Sequence, residues 1–162
     1  MGSTAATSAG VEGGGPFHWL LRTTDDTSLT VLRLALGIVM LPHGAQKALG
    51  WFGGPGLSGF VEFTGTQYGI PAWLAAFAVA AECLGSLGLL LGLFGRIAAF
   101  GISCNMVVAI ALIHRHNGFF MNWTGKQAGE GFEFHLLVIG IAIVIMLRGS
   151  GAASIDRALS RS

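Results

Sequence analysis

The sequence has few charged residues. Only 10% of its 162 residues are Asp, Glu, Lys or Arg, against about 25% in an average soluble domain. Nine basic and eight acidic residues leave a formal net charge of +1, so the chain lacks the basic stripe that binds nucleic acid. The scarcity of charge excludes an ordinary soluble domain and predicts no nucleic-acid partner.

Cysteine is also scarce, and the sequence lacks the common catalytic fingerprints. Cys83 and Cys104 have neither CxxC nor zinc-site spacing, so we interpret both as small core residues and predict no metal site. A phosphate loop, a nucleophile elbow and a dinucleotide fingerprint are missing, because the glycine clusters follow no predicted strand. Nothing in the sequence predicts a tightly bound flavin or iron–sulfur cluster.

Apolar residues dominate instead. They make up 52% of the chain, and the mean hydropathy is +0.68. The segment from Pro71 to Arg96 is longer than the 20 or so apolar residues that cross a bilayer. Similar runs predict four spans at about 28–49, 72–95, 97–114 and 132–147. We therefore predict an all-α integral membrane four-helix bundle at 28–148, with a disordered Gly/Ser-rich tail at 1–16, an interfacial segment at 17–27 and a polar tail at 149–162.

The connections between spans predict how the bundle is oriented. Those after the first and third spans mix glycine with aromatic residues, which predicts ordered caps on one membrane face. Four spans place both termini on the other face. That face holds five arginines, against three basic residues on the capped face: Arg22, Arg96, Arg148, Arg157 and Arg161 against Lys47, Arg115 and Lys126. This excess favours cytoplasmic termini in a bacterial-type inner membrane.

Glu82 lies near the middle of the second span. An ionised carboxylate there costs roughly 2.5–3.5 kcal/mol, so it must be neutral, paired or next to a polar cavity. Arg33 of the first span either pairs with Glu82 or extends to its own membrane boundary. It shares a helical stripe with Gly37, Met40, Gly44 and Lys47, which we expect to face the bundle. Glu82 is then either a structural partner between helices or a proton-exchanging acid.

The predicted topology collects most ionisable residues at the capped face. The functional interpretation is a polar pocket, open sideways to lipid, in which carboxylates and imidazoles exchange protons with a quinone. The alternative is an ordinary polar rim at the membrane surface. His43 and His135, on two different spans, could form the histidine pair that holds haem b. One such pair without a further haem signature is weak evidence, so we do not predict haem. His114 and His116 are two residues apart, so on a helix they point about 200° apart and cannot share an ion.

Several motifs resemble the DoxX-like membrane proteins over about residues 32–156. They are Arg33 followed by Gly37, PHGAQKALGWFGG at 42–54, AECLGSLGLLLGLFGRIAA at 81–99, NGFF at 117–120, GFEF at 131–134, and Gly-Ser-Gly before Ser154-Ile155-Asp156. The resemblance implies a four-helix membrane subunit linked to redox chemistry, since relatives include a subunit of a thiosulfate:quinone oxidoreductase. The recurrent polar residues of the family correspond to Arg33, His43, Lys47, Glu82, Arg96 and Glu133.

We therefore predict a non-autonomous membrane subunit of a quinone-linked oxidoreductase, which receives electrons from a partner protein and has no tightly bound cofactor of its own. The candidate catalytic residues are Glu82, Arg33, His43, Lys47 and Glu133. The candidate ligand-binding residues are His43, Trp51, Asn105, His116 and His135. The alternative is a structural or assembly subunit at the periphery of a respiratory or photosynthetic complex. A small transporter is a third, weaker interpretation.

Overall fold

The structure, a computed structural model, describes residues 16–161, and these form helices and connections without a β-strand. The α-helices are α1 (Pro16–Leu21), α2 (Thr27–Leu49), α3 (Gly56–Tyr68), α4 (Ala72–Leu91), α5 (Gly95–Leu112), α6 (Glu133–Arg148) and α7 (Ile155–Leu159). Short 3₁₀ turns lie at Trp51–Gly53 and His114–Asn117. The all-α prediction is confirmed, whereas the predicted disordered tail lies, except for Pro16, outside the described residues.

Three of these helices are long and apolar enough to cross a membrane, namely α2, α4 and α5. Helix α6 has 16 residues, a length of about 24 Å at 1.5 Å per residue, somewhat short of a hydrocarbon layer of about 30 Å. α2 packs against α4, α4 against α5, α5 against α6, and α6 against α2. The chain is thus an all-helical protein with membrane-spanning capacity, and the fourth span stays a prediction.

Glycine allows α2 and α4 to approach closely. Arg33, Gly37, Met40 and Gly44 are buried on one stripe of α2, which confirms that this stripe faces the bundle. A Cβ atom at Gly44 would lie 2.9 Å from the Sγ atom of Cys83 on α4. The missing side chain therefore sets the distance between the two helices and brings their polar residues within reach of each other.

Helix α4 ends at Leu91, four residues before the predicted end of the second span, because Gly92 has a left-handed φ of 68°. The N–H of Leu93 then bonds to the carbonyl of Gly88 at 2.9 Å, a typical helix C-cap. A Cβ atom at Gly92 would lie 2.5 Å from the Cβ atom of Ser154. Gly92 is thus a cap that receives the C-terminal segment.

Two buried arginines satisfy the carbonyl groups that helices leave unpaired at their C-termini. Arg33 donates to Leu89 and Leu90 in the last turn of α4, and also to the carbonyls of Ser150 and Ala153. Arg96 donates to Met146 in the last turn of α6 and to Arg22. Cations are favourable at this end of a helix dipole, which explains how both guanidinium groups tolerate burial.

Asp156 binds the opposite kind of helix end, because it accepts from N–H groups that are unpaired at the start of α5. Its carboxylate accepts from the backbone N–H groups of Phe94 and Gly95 at 2.7 and 3.0 Å and from the Ser150 hydroxyl at 2.6 Å. Ser150 and Asp156 are 0% and 1% exposed. The C-terminal segment, expected to be a polar surface tail, is therefore buried at these positions because it completes the ends of α4 and α5.

The opposite end of the molecule carries the two long connections, and both are ordered. The first contains α3, a helix that the glycine-rich sequence did not predict. The second begins where α5 ends at Leu112 and is held by two acids. Glu133 accepts from the N–H of Met121 at 2.9 Å, and Glu130 accepts from the N–H of Asn122 at 2.6 Å. These connections form the wall of the candidate site.

Candidate functional site

An ion pair joins α2 and α4 inside the molecule. The Lys47 Nζ atom lies 2.5 Å from the Glu82 Oε1 atom, with the two side chains 28% and 2% exposed. The Lys47 Nζ atom also lies 5.4 Å from the centre of the Phe60 ring on α3, a favourable cation–π distance. The alternative that Arg33 pairs with Glu82 is wrong, because the guanidinium donates to backbone carbonyls near the other end of α2.

One oxygen of the Glu82 carboxylate has no hydrogen-bond partner among the residues that the structure describes. Its Oε2 atom is buried and makes no hydrogen bond to any residue that the structure describes, and the same holds for the Nδ1 atom of His135. Buried polar atoms are seldom left unpaired, because each costs about 1–3 kcal/mol. Two such atoms in one place indicate that the site pairs with something other than the described side chains.

Both unpaired atoms belong to residues that line a large cavity. Its volume is about 900 Å³, and His43, Lys47 and Asn105 line it as well. Most of the remaining lining is aliphatic or aromatic. Ligand pockets of 300–1,000 Å³ with apolar walls and a few convergent polar groups are typical binding sites for organic molecules.

Histidines extend the polar end of the cavity toward the second connection. The His114 and His135 rings lie 4.0 Å apart between centroids, and the His114 Nδ1 atom is 2.8 Å from the carbonyl oxygen of Glu130. His43 packs 5.7 Å from the Phe134 ring. Since α5 has ended before His114, the His114 ring turns toward His135 on α6. It does not take the direction that a continued helix would give it.

The structure brings five of the predicted site residues to the cavity and leaves four elsewhere. Those that line it are His43, Lys47, Glu82, Asn105 and His135. The amide of Asn105 donates to the carbonyl of Ala78 at 2.7 Å. His116 follows the end of α5, lies beside Arg115 and is outside the cavity lining.

The other three predicted residues outside the cavity have different surroundings. Arg33 binds helix ends, as described above. Glu133 accepts from the Trp123 indole N–H at 3.3 Å in addition to the Met121 N–H, so it holds the second connection in place. Trp51 is exposed beside the first connection. These three residues do not line the cavity, so their catalytic or ligand-binding roles stay predictions.

Sequence reasoning missed three cavity residues on α3. Phe60, Thr64 and Tyr68 line the cavity, and their spacing of four residues is that of one helix face. This periodicity was the available signal, although the surrounding glycines obscured it. Cys104 also lines the cavity and is exposed, so its interpretation as a core residue is wrong.

In the part of the chain that the structure describes, residues 16–161, no group of three or more His, Cys, Asp or Glu residues could hold a metal ion. The polar groups of the cavity include one ammonium group, two carboxylates, imidazoles, a carboxamide and two hydroxyl groups, all at the wall of an otherwise apolar cavity.

Comparisons with known proteins agree with this picture at the level of the family. A family model described as DoxX matches residues 28–115, which include α2 to α5 and the Lys47–Glu82 pair. A protein of Haemophilus influenzae described as uncharacterized is 29% identical over 135 residues, covering 79% of this chain and 87% of that protein. No solved structure matches the chain.

Proposed function

The chain belongs to the DoxX family, and from this premise we propose that it is the membrane subunit of an oxidoreductase system. In this proposal it binds the ring of a quinone or a similar amphipathic molecule in the cavity and exchanges protons with it. Four helices, α2, α4, α5 and α6, would cross a bacterial-type inner membrane with both termini in the cytoplasm. A partner protein would deliver the electrons.

One observation carries the proposal: the Lys47–Glu82 pair lies at the wall of the cavity with the Glu82 Oε2 atom unpaired among the described residues. A quinone has carbonyl oxygens that accept hydrogen bonds from an ammonium group or an imidazole N–H. A hydroquinone has hydroxyl groups that donate to a carboxylate or an imidazole nitrogen. Lys47, Glu82 and His135 therefore offer partners to both oxidation states.

The proton balance assigns a role to each group. Reduction of a quinone takes up two electrons and two protons, and the two protons end on the ring oxygens. We propose that Glu82 and His135 carry these protons at the cavity wall, and that Lys47 keeps the negative charge on Glu82 stable between transfers. The electrons come from the partner protein, and Glu82 and His135 take up two protons from water at the capped face after each transfer. Two electrons and two protons thus end on the quinone, and the site returns to its starting charge.

The experiment measures the binding of a tail-free hydroquinone, the oxidation state whose hydroxyl group can donate to the Glu82 carboxylate, to the full chain in lipid nanodiscs. Glu82→Gln keeps the size of the side chain but removes the charge, and a hydrogen bond to a charged group contributes about 1.5–3 kcal/mol. We expect roughly tenfold to 150-fold weaker binding. Glu62→Gln is the matched control, since Glu62 is an exposed residue of α3 outside the cavity lining; its binding should equal that of the wild type.

The alternative function, a non-catalytic structural or assembly subunit of a larger membrane complex, also has an observation in its favour. Lys47 and Glu82 bind each other, and Arg33 and Glu133 hold helix ends and a connection. Several predicted site residues therefore have structural roles. If the wild type binds no quinone and Glu82→Gln only lowers stability, this alternative replaces the first.

A further inference from the structure

The cavity does not end at its polar residues but continues as a furrow between α4 and α5. Small residues form the floor on both helices: Ala81, Gly85 and Gly88 on α4, and Ala98 and Gly101 on α5. Their spacing of three or four residues places each set on one helix face. These small residues let the two helices pack closely along the floor, where a Cβ atom at Gly101 would lie 3.4 Å from the Ala81 Cβ atom, so the floor lies below the larger side chains on either side.

Large apolar side chains form the two rims of the furrow. They are Leu84, Leu87, Leu91, Ile97, Phe100 and Val108, and each is between 45% and 68% exposed. On helices that can span a membrane, such side chains contact lipid. The furrow therefore opens sideways to the hydrocarbon layer rather than to water.

The furrow and the polar site are continuous. Glu82 and the floor residue Gly85 lie one helical turn apart on α4, and the same cavity includes both. From Glu82 to Leu91 the furrow runs along nine residues of α4, about 14 Å at 1.5 Å per residue. The unpaired Oε2 atom of Glu82, on a residue that is 1% exposed, marks the polar end.

We infer that the furrow holds the hydrocarbon tail of the ligand whose ring lies at Glu82 and His135, so that the ligand class is a long-tailed lipid quinone entering from the bilayer between α4 and α5. This inference rests on the proposed function. A small water-soluble ring would leave the furrow empty. A long-tailed ligand fills both parts of the cavity and never has to leave the hydrocarbon layer.

The test compares a tail-free quinone with the same ring carrying a multi-unit isoprenoid tail, both titrated into nanodiscs that contain the full chain. Affinities are expressed per bilayer lipid, which removes the contribution of partitioning into the membrane. We expect the tailed quinone to bind about tenfold more tightly on this scale, through tail–furrow packing. Equal affinities on this scale would overturn the inference and leave the proposed function standing.

A pair of glycine substitutions locates the effect. A Cβ atom at Gly101 would meet only the Ala81 Cβ atom, at 3.4 Å, whereas one at Gly140 on α6 would meet no atom within 4 Å. Gly101→Leu therefore fills the furrow without a backbone clash, and Gly140→Leu adds the same side chain outside the cavity lining. Gly101→Leu should bind the tailed quinone about tenfold more weakly. It should bind the tail-free ring normally, and Gly140→Leu should bind both normally.

Photo-crosslinking separates a bound quinone from an ordinary bilayer lipid. A tailed quinone with a photoreactive group at the end of its tail should label the part of α5 that contains Ile97 and Phe100. Excess unlabelled tailed quinone should suppress this labelling. Labelling that excess quinone leaves unchanged would mean nonspecific lipid contact and would overturn the inference. Absence of binding by any quinone would instead overturn the proposed function.

Discussion

At the scale of single residues, burial of charge is explained by what each charge binds. Arg33 is 1% exposed, yet it donates to four carbonyl oxygens, two of them in the last turn of α4. Glu82 is buried to the same degree and has one cationic partner and one unpaired oxygen. The Arg33 guanidinium thus has its hydrogen-bond partners within the structure, whereas the Glu82 Oε2 atom can still accept a hydrogen bond.

This contrast predicts a stability effect for Arg33→Lys. Lysine keeps the charge but lacks the planar fork that reaches several carbonyls at once. With one or two charge-assisted hydrogen bonds lost, the free energy of unfolding should fall by about 3 kcal/mol. Arg148→Lys is the control, because the Arg148 side chain is 54% exposed and lies 3.5 Å from Asp26; such pairs contribute about 0–1 kcal/mol. Denaturant unfolding in detergent measures both, and equal losses would contradict the assignment.

At the scale of secondary structure, glycines decide where the helices end and how closely they pack. Gly44 sets the approach of α2 to α4, and Gly92 ends α4 in a left-handed conformation against the C-terminal segment. Gly69 ends α3 with a similar φ of 66°, but nothing lies within 4 Å of a Cβ atom there. The two caps therefore share a backbone conformation and differ in their surroundings.

Alanine at these two positions separates conformation from packing. Gly69→Ala should cost only the left-handed conformation, about 1–2 kcal/mol. Gly92→Ala adds a contact of 2.5 Å with the Ser154 Cβ atom, so it should displace the segment that carries Asp156 and cost more than 3 kcal/mol in total. Thermal unfolding in detergent compares them. A smaller effect at Gly92 than at Gly69 would refute the proposed docking of the C-terminal segment.

At the scale of the whole molecule, the two ends have different tasks. One end binds helix termini through Arg33, Arg96 and Asp156, and the other holds the polar part of the cavity with the Lys47–Glu82 pair. Arg33 and Lys47 are 14 residues apart on α2, about 21 Å along the helix. The contacts with helix termini and the Lys47–Glu82 ion pair are thus well separated along the helices.

The proposed topology predicts that these ends lie on opposite membrane faces. The test places a single cysteine at one of the exposed positions Ser58 and Ala158 in a chain that also carries Cys83→Ala and Cys104→Ala. The reactivity of each cysteine shows on which side of the membrane it lies. Ser58→Cys should react with a membrane-impermeant maleimide in intact spheroplasts, and Ala158→Cys only after permeabilisation. Labelling of both from the same side would mean an even number of crossings between the first connection and the C-terminal segment, whereas the four-span arrangement requires three, and would exclude that arrangement.

The sequence alone was enough for the class of the protein and for part of the site. Hydrophobic runs are local properties, so they predicted an all-helical membrane protein, and the 100° spacing of Arg33, Gly37, Met40 and Gly44 correctly predicted the buried face of α2. A carboxylate in an apolar run also pointed to Glu82, since few environments tolerate it.

Only the tertiary structure decided which residues meet. Arg33 and Lys47 lie on the same stripe of α2, and the sequence offers no local reason why Lys47 rather than Arg33 reaches Glu82. The choice depends on the antiparallel packing of α2 and α4, which brings Arg33 to the end of α4 and Lys47 to its middle. Partner choice is a long-range property because it depends on relative helix position, whereas hydrophobicity and periodicity are present in each segment by itself.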